Sequence, residues 1–294
     1  MSYKSELEFA IETAKKAGAL LMENFGRQHD PQWTAETKET NFKIMMDKRS
    51  DDLIRVGIKQ YFPEDDIYSE EAEDIDRGRI RKWTFDPIDG TEPYANHTSN
   101  NWSVAIALIE DRTPVLGVVY MPQREELYHA VTGNGSYCNQ IPIRVSQESS
   151  VNKVRMGIDG GKKIDGWFYA SSLNVLKNKL EPNIAISLGF ACASVPLCQV
   201  ASGTLDRRLP TVGRIEAYLG GALEPYDMVA EVPIIREAGG IVTHLSGKEW
   251  QFSKYKQGDP TILTANPILH QKLRDHLSQE IDPYYTQNGF AKYK

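Results

Sequence analysis

Residues Trp83 to Thr91 run W-T-F-D-P-I-D-G-T, and residue types in that order suit one kind of chemistry. A short apolar strand over 82–85 leads into two carboxylates, Asp86 and Asp89, across a proline that stiffens the turn. Gly90 permits close backbone approach, and if a helix begins at Thr91 its first N–H groups can face an anion. Two hard carboxylates with a carbonyl between them suit Mg²⁺, which prefers oxygen and keeps water and substrate phosphate in its shell. The stretch therefore points to phosphoryl transfer. D-P-x-D-G is also ordinary turn chemistry, so the choice rests on acids found elsewhere: Asp47, the Glu70-Glu71 pair and Asp227.

The elements that must position these acids follow from periodicity. Apolar residues at Leu7, Ala10, Ile11, Ala14, Ala17, Leu21 and Phe25 predict an amphipathic helix. A polar loop with Lys38 and Lys43 as solvated lysines is expected over 27–43. A second helix is expected after it, N-capped by Ser50, with Asp47 just before. The run E-E-A-E-D from 70 reads as a solvated face beyond Glu71. Runs at 104–109, 114–121 and 127–131 predict an antiparallel meander, with a tight G-N-G turn at 133–135 and a further strand at 143–145. In the second half a buried strand is expected at 184–188 and a core helix at 191–201. A helix is expected from Pro225 through Ile235, disturbed by Pro233 and ended by Gly239-Gly240. The polar stretch 282–294 is expected to be poorly ordered.

Composition excludes several classes. With 25% charged and 40% apolar residues the chain is expected to be globular, and no apolar run reaches bilayer length. A net charge of −6 with no basic block argues against nucleic acid as partner. The N-terminus lacks signal or transit character, so the cytoplasm is the expected compartment. The three cysteines, Cys138, Cys192 and Cys198, show no metal-ligand spacing and are expected to be core residues.

With Glu70-Glu71, D-P-I-D-G-T and Y-D-M-V-A-E-V-P-I-I-R-E-A-G-G in view, the chain resembles the inositol monophosphatase family, the magnesium-dependent, lithium-sensitive sugar phosphatases. G-N-G-S-Y-C-N-Q-I-P-I-R-V-S is similar to a further family motif, and the resemblance runs from the first helix to about Trp250. It implies a layered αβαβα sandwich, with antiparallel sheet plus helices in two subdomains, 1–148 and 149–294, the second supplying Asp227, and a site in the cleft. It implies metal ligation by Glu70, Asp86, the Ile88 carbonyl, Asp89 and Asp227, with two or three Mg²⁺. Glu70 and Thr91 would orient the attacking water, Asp47 would support it or a further metal, and the Gly90–Thr91 backbone would cradle phosphate. A homodimer is also implied. Clustered carboxylates repel one another, so cations are the physical complement of such a set.

Differences from the family pattern bear on the substrate. Lys43 and Ile44 stand where the family has Val-Thr, which puts that support of the water in question. Gly220 replaces a hydroxyl-binding glutamate, and the glycine suggests room for a bulkier leaving group. The insertion D-R-R-L-P-T-V-G-R offers Arg207, Arg208 and Arg214 for a second anionic group. Gly220, Glu92 and these arginines are the candidate substrate contacts. The expectation is a phosphomonoesterase for a small metabolite, foremost a sugar or cyclitol monophosphate. Histidinol phosphate, which P-Y-D and V-P-I-I suggest, and a 3′(2′),5′-bisphosphate nucleotide are alternatives. A non-catalytic binding protein on the same fold is the alternative of another class.

Overall fold

The computed structural model describes residues 3–27, 39–160, 178, 185–188, 191–203, 215–221, 223–253 and 261–288. Residues 28–38, with Lys38, and 204–214, with Arg207, Arg208 and Arg214, lie outside the described residues. The chain divides into two compact units: one comprises 1–142, 191–195 and 226–234, the other 143–190, 196–225 and 235–294. The boundary falls at 142, and Asp227 belongs to the first unit rather than to the second half.

The first unit is a seven-stranded sheet in sequence order, β1(Asp66–Ser69), β2(Arg81–Asp89), β3(Ser103–Glu110), β4(Thr113–Met121), β5(Glu126–Val131), β6(Ser136–Cys138) and β7(Ile141–Pro142). Only β1 and β2 run parallel, so the expected meander is present and extends through β7, while 143–145 forms no strand. Helix α1(Lys4–Asn24) packs Phe9, Ala10, Ala14, Ala17 and Leu21 into the core at the predicted spacing. Phe9 and Phe62 meet with ring centroids 5.1 Å apart, and Phe9 meets Trp83 at 5.5 Å, geometries that favour aromatic pairs beyond their buried area.

Helix α2 spans Glu39–Tyr61 and corrects two expectations. Ser50 is no N-cap. It lies in the middle of the helix, wholly buried, and donates its hydroxyl to the Pro87 carbonyl at 3.0 Å. Asp47 is likewise inside the helix, not before it, so Asp47, Ser50 and Asp51 share the face turned toward the end of β2. The cap-like sequence misled because serine serves as well to bond a nearby carbonyl as to start a helix.

The end of β2 holds the decisive local feature. Side chains alternate along a strand, so acids three residues apart would normally point to opposite faces. Here Asp86 pairs with Ala105 and Asp89 with Ser103, and a bulge absorbs the extra residue. Partners two residues apart lie on one face, so Asp86 and Asp89 share it. The same face of β4 carries Gly117, where an added Cβ would meet the Ala230 carbonyl oxygen at 1.9 Å. Only glycine admits that backbone contact, and it locks residues 226–234 of this unit onto the face that bears the two acids.

The second unit has a mixed five-stranded sheet, ordered β11(Ile241–Thr243), β12(Ile262–Ala265), β10(Ala217–Gly221), β8(Arg155–Gly160), β9(Ala185–Leu188). The α6 helix, Pro267–Asn288, sets Leu269, Leu273 and Leu277 against Met156, Leu219 and Leu263. It continues the chain as helix to Asn288, past the point where order was expected to end. β9 is the edge strand, with Ala185 exposed and Ile186 half-buried, in place of the expected buried strand. Helix α4(Ser194–Ala201) begins three residues later than expected. The expected long helix from Pro225 is divided into a 3₁₀ turn at Pro225–Asp227 and helix α5(Glu231–Glu237), with Pro233 in its first turn, where no intrahelical N–H is required. Gly239, at φ 89°, closes α5.

Candidate active site

All the acids singled out in the sequence belong to the first unit. Asp86, Ile88 and Asp89 come from the end of β2, Asp47 from α2, Glu70 from just after β1, and Asp227 from the 3₁₀ turn. Asp86 is buried, and an Asx turn forms as the Ile88 N–H donates to its Oδ1 at 2.9 Å. Its carboxyl is pushed well above the ordinary carboxylate range, first by burial and then by the charges of Glu70, Asp89, Asp227 and Asp47. Asp47 is pushed up to about 8 by burial and by Glu71 and Glu70, against the opposing pull of Lys43 and a hydrogen bond with Thr91. One of its oxygens, Oδ1, is buried without a hydrogen-bond partner.

The sequence reasoning missed what holds Asp89. Its Oδ2 accepts from the Ser194 N–H at 2.7 Å and the Cys192 thiol at 3.1 Å, and its Oδ1 accepts from the Ala193 N–H at 3.3 Å. Burial raises the Asp89 carboxyl while these donors lower it. Cys192 is therefore more than a core residue, and the Asp89 charge pushes its thiol well above the usual range after burial has done so. Ser194 in turn donates its hydroxyl to Glu231 Oε1 at 2.5 Å. Glu231 is fully buried, and its carboxyl is pushed up to about 8, chiefly by burial. The available signal was the single charge in the apolar run M-V-A-E-V-P-I-I.

The turn after β2 is built from hydrogen bonds and close approach. Thr91 donates its hydroxyl to the Ile88 carbonyl at 3.1 Å. Gly90 sits at φ 88°, and a Cβ there would meet the Asn101 carbonyl oxygen at 2.5 Å and Cys192 Cβ at 3.0 Å. Helix α3(Thr91–Asn96) does start at Thr91. Glu70 is anchored through its neighbours: Arg55 donates to Asp51 Oδ1 at 2.9 Å, to Ser69 Oγ at 2.5 Å and to the Glu73 carbonyl at 3.1 Å.

The candidate substrate residues fare differently. Glu92 pairs with Lys43 at 3.1 Å and also accepts from Asn96, so Lys43 is a partnered lysine rather than a merely solvated one. Ile44, in place of the family's threonine, is exposed. Around Gly220 the expected open space is filled by its own unit: a Cβ would meet Leu223 Cδ1 at 2.6 Å and Ile262 Cγ2 at 2.8 Å. Gly220 therefore leaves no room for a bulkier leaving group, because neighbouring aliphatic side chains have taken up the volume.

The donor set fits a hard divalent cation. Every group at the end of β2 is an oxygen, the acids raise one another's pKa, and Asp47 has an orphaned buried oxygen. Among the described residues no group of three or more His, Cys, Asp or Glu side chains is placed so that it could hold a metal ion as it stands.

The match to the inositol monophosphatase family model covers residues 2–282, and the chain belongs to that family. It is 29% identical over 274 residues to inositol monophosphatase 1 of tomato (Solanum lycopersicum), covering 92% of this chain and 93% of that one. It is 30% identical over 246 residues to the histidinol-phosphatase of Chlorobaculum parvum, covering 83% and 87%. The solved inositol monophosphatase of Anabaena superposes with a TM-score of 0.75 at 25% identity, over 95% of this chain and 98% of that one. The α/β layered sandwich is thus the fold, and hydrolysis of phosphate monoesters is the activity, in place of the non-catalytic alternative. No described helix is long and apolar enough to cross a membrane.

Proposed function

We propose that this phosphatase is magnesium-dependent and acts on a small sugar or cyclitol monophosphate. The observation that carries the metal reading is the state of Asp86, a buried carboxyl whose charge is opposed by burial and by four other acids. Glu70, Asp86, the Ile88 carbonyl, Asp89 and Asp227 would hold the ions. When bound, Mg²⁺ would neutralise this charge, polarise the phosphate and lower the pKa of a water.

The chain's own groups do the rest. Thr91 and Glu70 orient water toward phosphorus, Thr91 being fixed by its bond to Ile88. The backbone at Gly90 and Thr91 contacts phosphate, and its course is fixed by the left-handed conformation of Gly90 and by the close packing of Asn101 and Cys192 against it. Asp47 supports the water or a further ion, as its unpartnered oxygen favours. The reaction asks mainly for positioning and charge stabilisation.

Histidinol phosphate is the second reading, favoured by the similarity to a histidinol-phosphatase and suggested by the chain's own P-Y-D and V-P-I-I. Lithium sensitivity and a homodimer belong to the proposal on family resemblance. Phosphate release from inositol 1-phosphate, other sugar phosphates, histidinol phosphate and bisphosphate nucleotides, with Mg²⁺ and with EDTA, is the test. Asp89→Asn is expected to lower kcat by orders of magnitude. Full activity in excess EDTA would refute the metal reading, and a best substrate outside the sugars would replace the substrate class.

A further inference from the structure

Three consecutive residues, Cys192, Ala193 and Ser194, donate hydrogen bonds to Asp89, so the orientation of that carboxylate follows the position of this segment. A side-chain contact, Ser194 Oγ to Glu231 Oε1 at 2.5 Å, braces the segment, with both residues wholly buried. The brace has a fixed base. Ala230, next to Glu231, presses its carbonyl into the space that Gly117 leaves on β4.

Glu231 is a costly side chain to bury beside this contact. Its Oε2 has no hydrogen-bond partner, and a buried acid with half its capacity unused is less favourable than an aliphatic side chain of similar size. Stability does not explain it, whereas local rule-breaking of this kind concentrates at functional sites. We propose that Glu231 is a positioning residue for Asp89, holding through Ser194 the donor segment that aims this carboxylate at the metal. The proposal rests on the reading of Asp89 as a metal ligand. Asp86 raises the need for such a brace, because two neighbouring carboxylates of like charge on one sheet face tend to turn apart.

The test measures Mn²⁺ binding to the full-length, metal-stripped protein by electron paramagnetic resonance, without substrate, and melting temperature in EDTA. Glu231→Leu should melt no lower than wild type yet bind Mn²⁺ about tenfold more weakly, as outer-shell changes at metal sites do. It should raise the Mg²⁺ concentration for half-maximal activity more than it lowers kcat. Glu231→Gln, whose carbonyl still accepts from Ser194, should restore wild-type affinity. Ser194→Ala, which also removes the Ser194 side-chain bond to Asp89, should weaken binding at least as much as Glu231→Leu, and the double variant should be no weaker than Ser194→Ala. Unchanged Mn²⁺ affinity in folded Glu231→Leu overturns the proposal. If that variant does not fold, unchanged affinity in Ser194→Ala overturns it. Wild type that binds Mn²⁺ no better than Asp89→Asn overturns the reading of the metal site itself, and the brace with it.

Discussion

Arg55 offers the sharpest separation of stability from activity. It is 7% exposed and forms an ion pair with Asp51, 1% exposed, while its other nitrogens hold Ser69 and the Glu73 carbonyl on either side of Glu70. Arg55→Met removes three hydrogen bonds and leaves Asp51 as a buried carboxylate supported by the Ser69 hydroxyl at 2.6 Å. Breaking a buried pair from one side costs about 3–5 kcal/mol, and the remaining Ser69 contact places this case near 3 kcal/mol. Urea unfolding of the metal-free protein measures it. Replacing both partners, as in Asp51→Leu/Arg55→Met, removes the stranded charge, so most of the stability should return. Activity should not return with it, because the tether on the Glu70 segment is still gone. In the role proposed for Glu70, its misplacement should lower kcat by about tenfold to a hundredfold in both variants. A stability loss below about 1 kcal/mol in Arg55→Met, or a double variant that regains activity along with stability, would refute this reasoning.

Gly117→Ala should destabilise the first unit by about 3 kcal/mol or more, since backbone lies 1.9 Å from the added methyl; a urea midpoint equal to wild type would count against the contact with Ala230. His270 makes the second unit acid-sensitive. Its imidazole accepts or donates a bond with Thr243 Oγ1 at 2.9 Å, and burial followed by Arg274 pushes its pKa down from 6.5 to about 4. The unfolded chain therefore takes up the proton first. Stability is complete above pH 6.5, falls as the pH drops through the interval to 4, and is lower by about 3 kcal/mol below it. His270→Gln should flatten that part of the stability profile, and an unchanged slope between pH 6.5 and 4 would exclude His270 as its source.

The sheet was legible in the sequence because β3, β4 and β5 are unbroken apolar runs separated by short polar turns, a pattern set by local spacing. The acids were legible because chemistry restricts their types. What was not legible depends on tertiary placement. Ser50 could cap a helix or bond a strand carbonyl, and only the approach of Pro87 decides between them. The bulge that turns Asp86 and Asp89 to one face leaves no mark beyond an odd spacing. The donors at 192–194 lie too far along the chain for any local pattern to connect them to Asp89. Gly220 misled for a similar reason, since a missing side chain implies space only if no neighbour fills it.

The donors to Asp89 follow it by 103 to 105 residues, and Glu231 lies 37 residues beyond Ser194. At about 5–20 residues per second, translation reaches that donor segment about 5–20 s after Asp89 itself. The meander from β2 to β7 joins only near neighbours in sequence, so it can form within microseconds to milliseconds of becoming available. The donors at 192–194 are therefore made only after the sheet residues that carry Asp86 and Asp89, and Glu231, which bonds Ser194, is made later still.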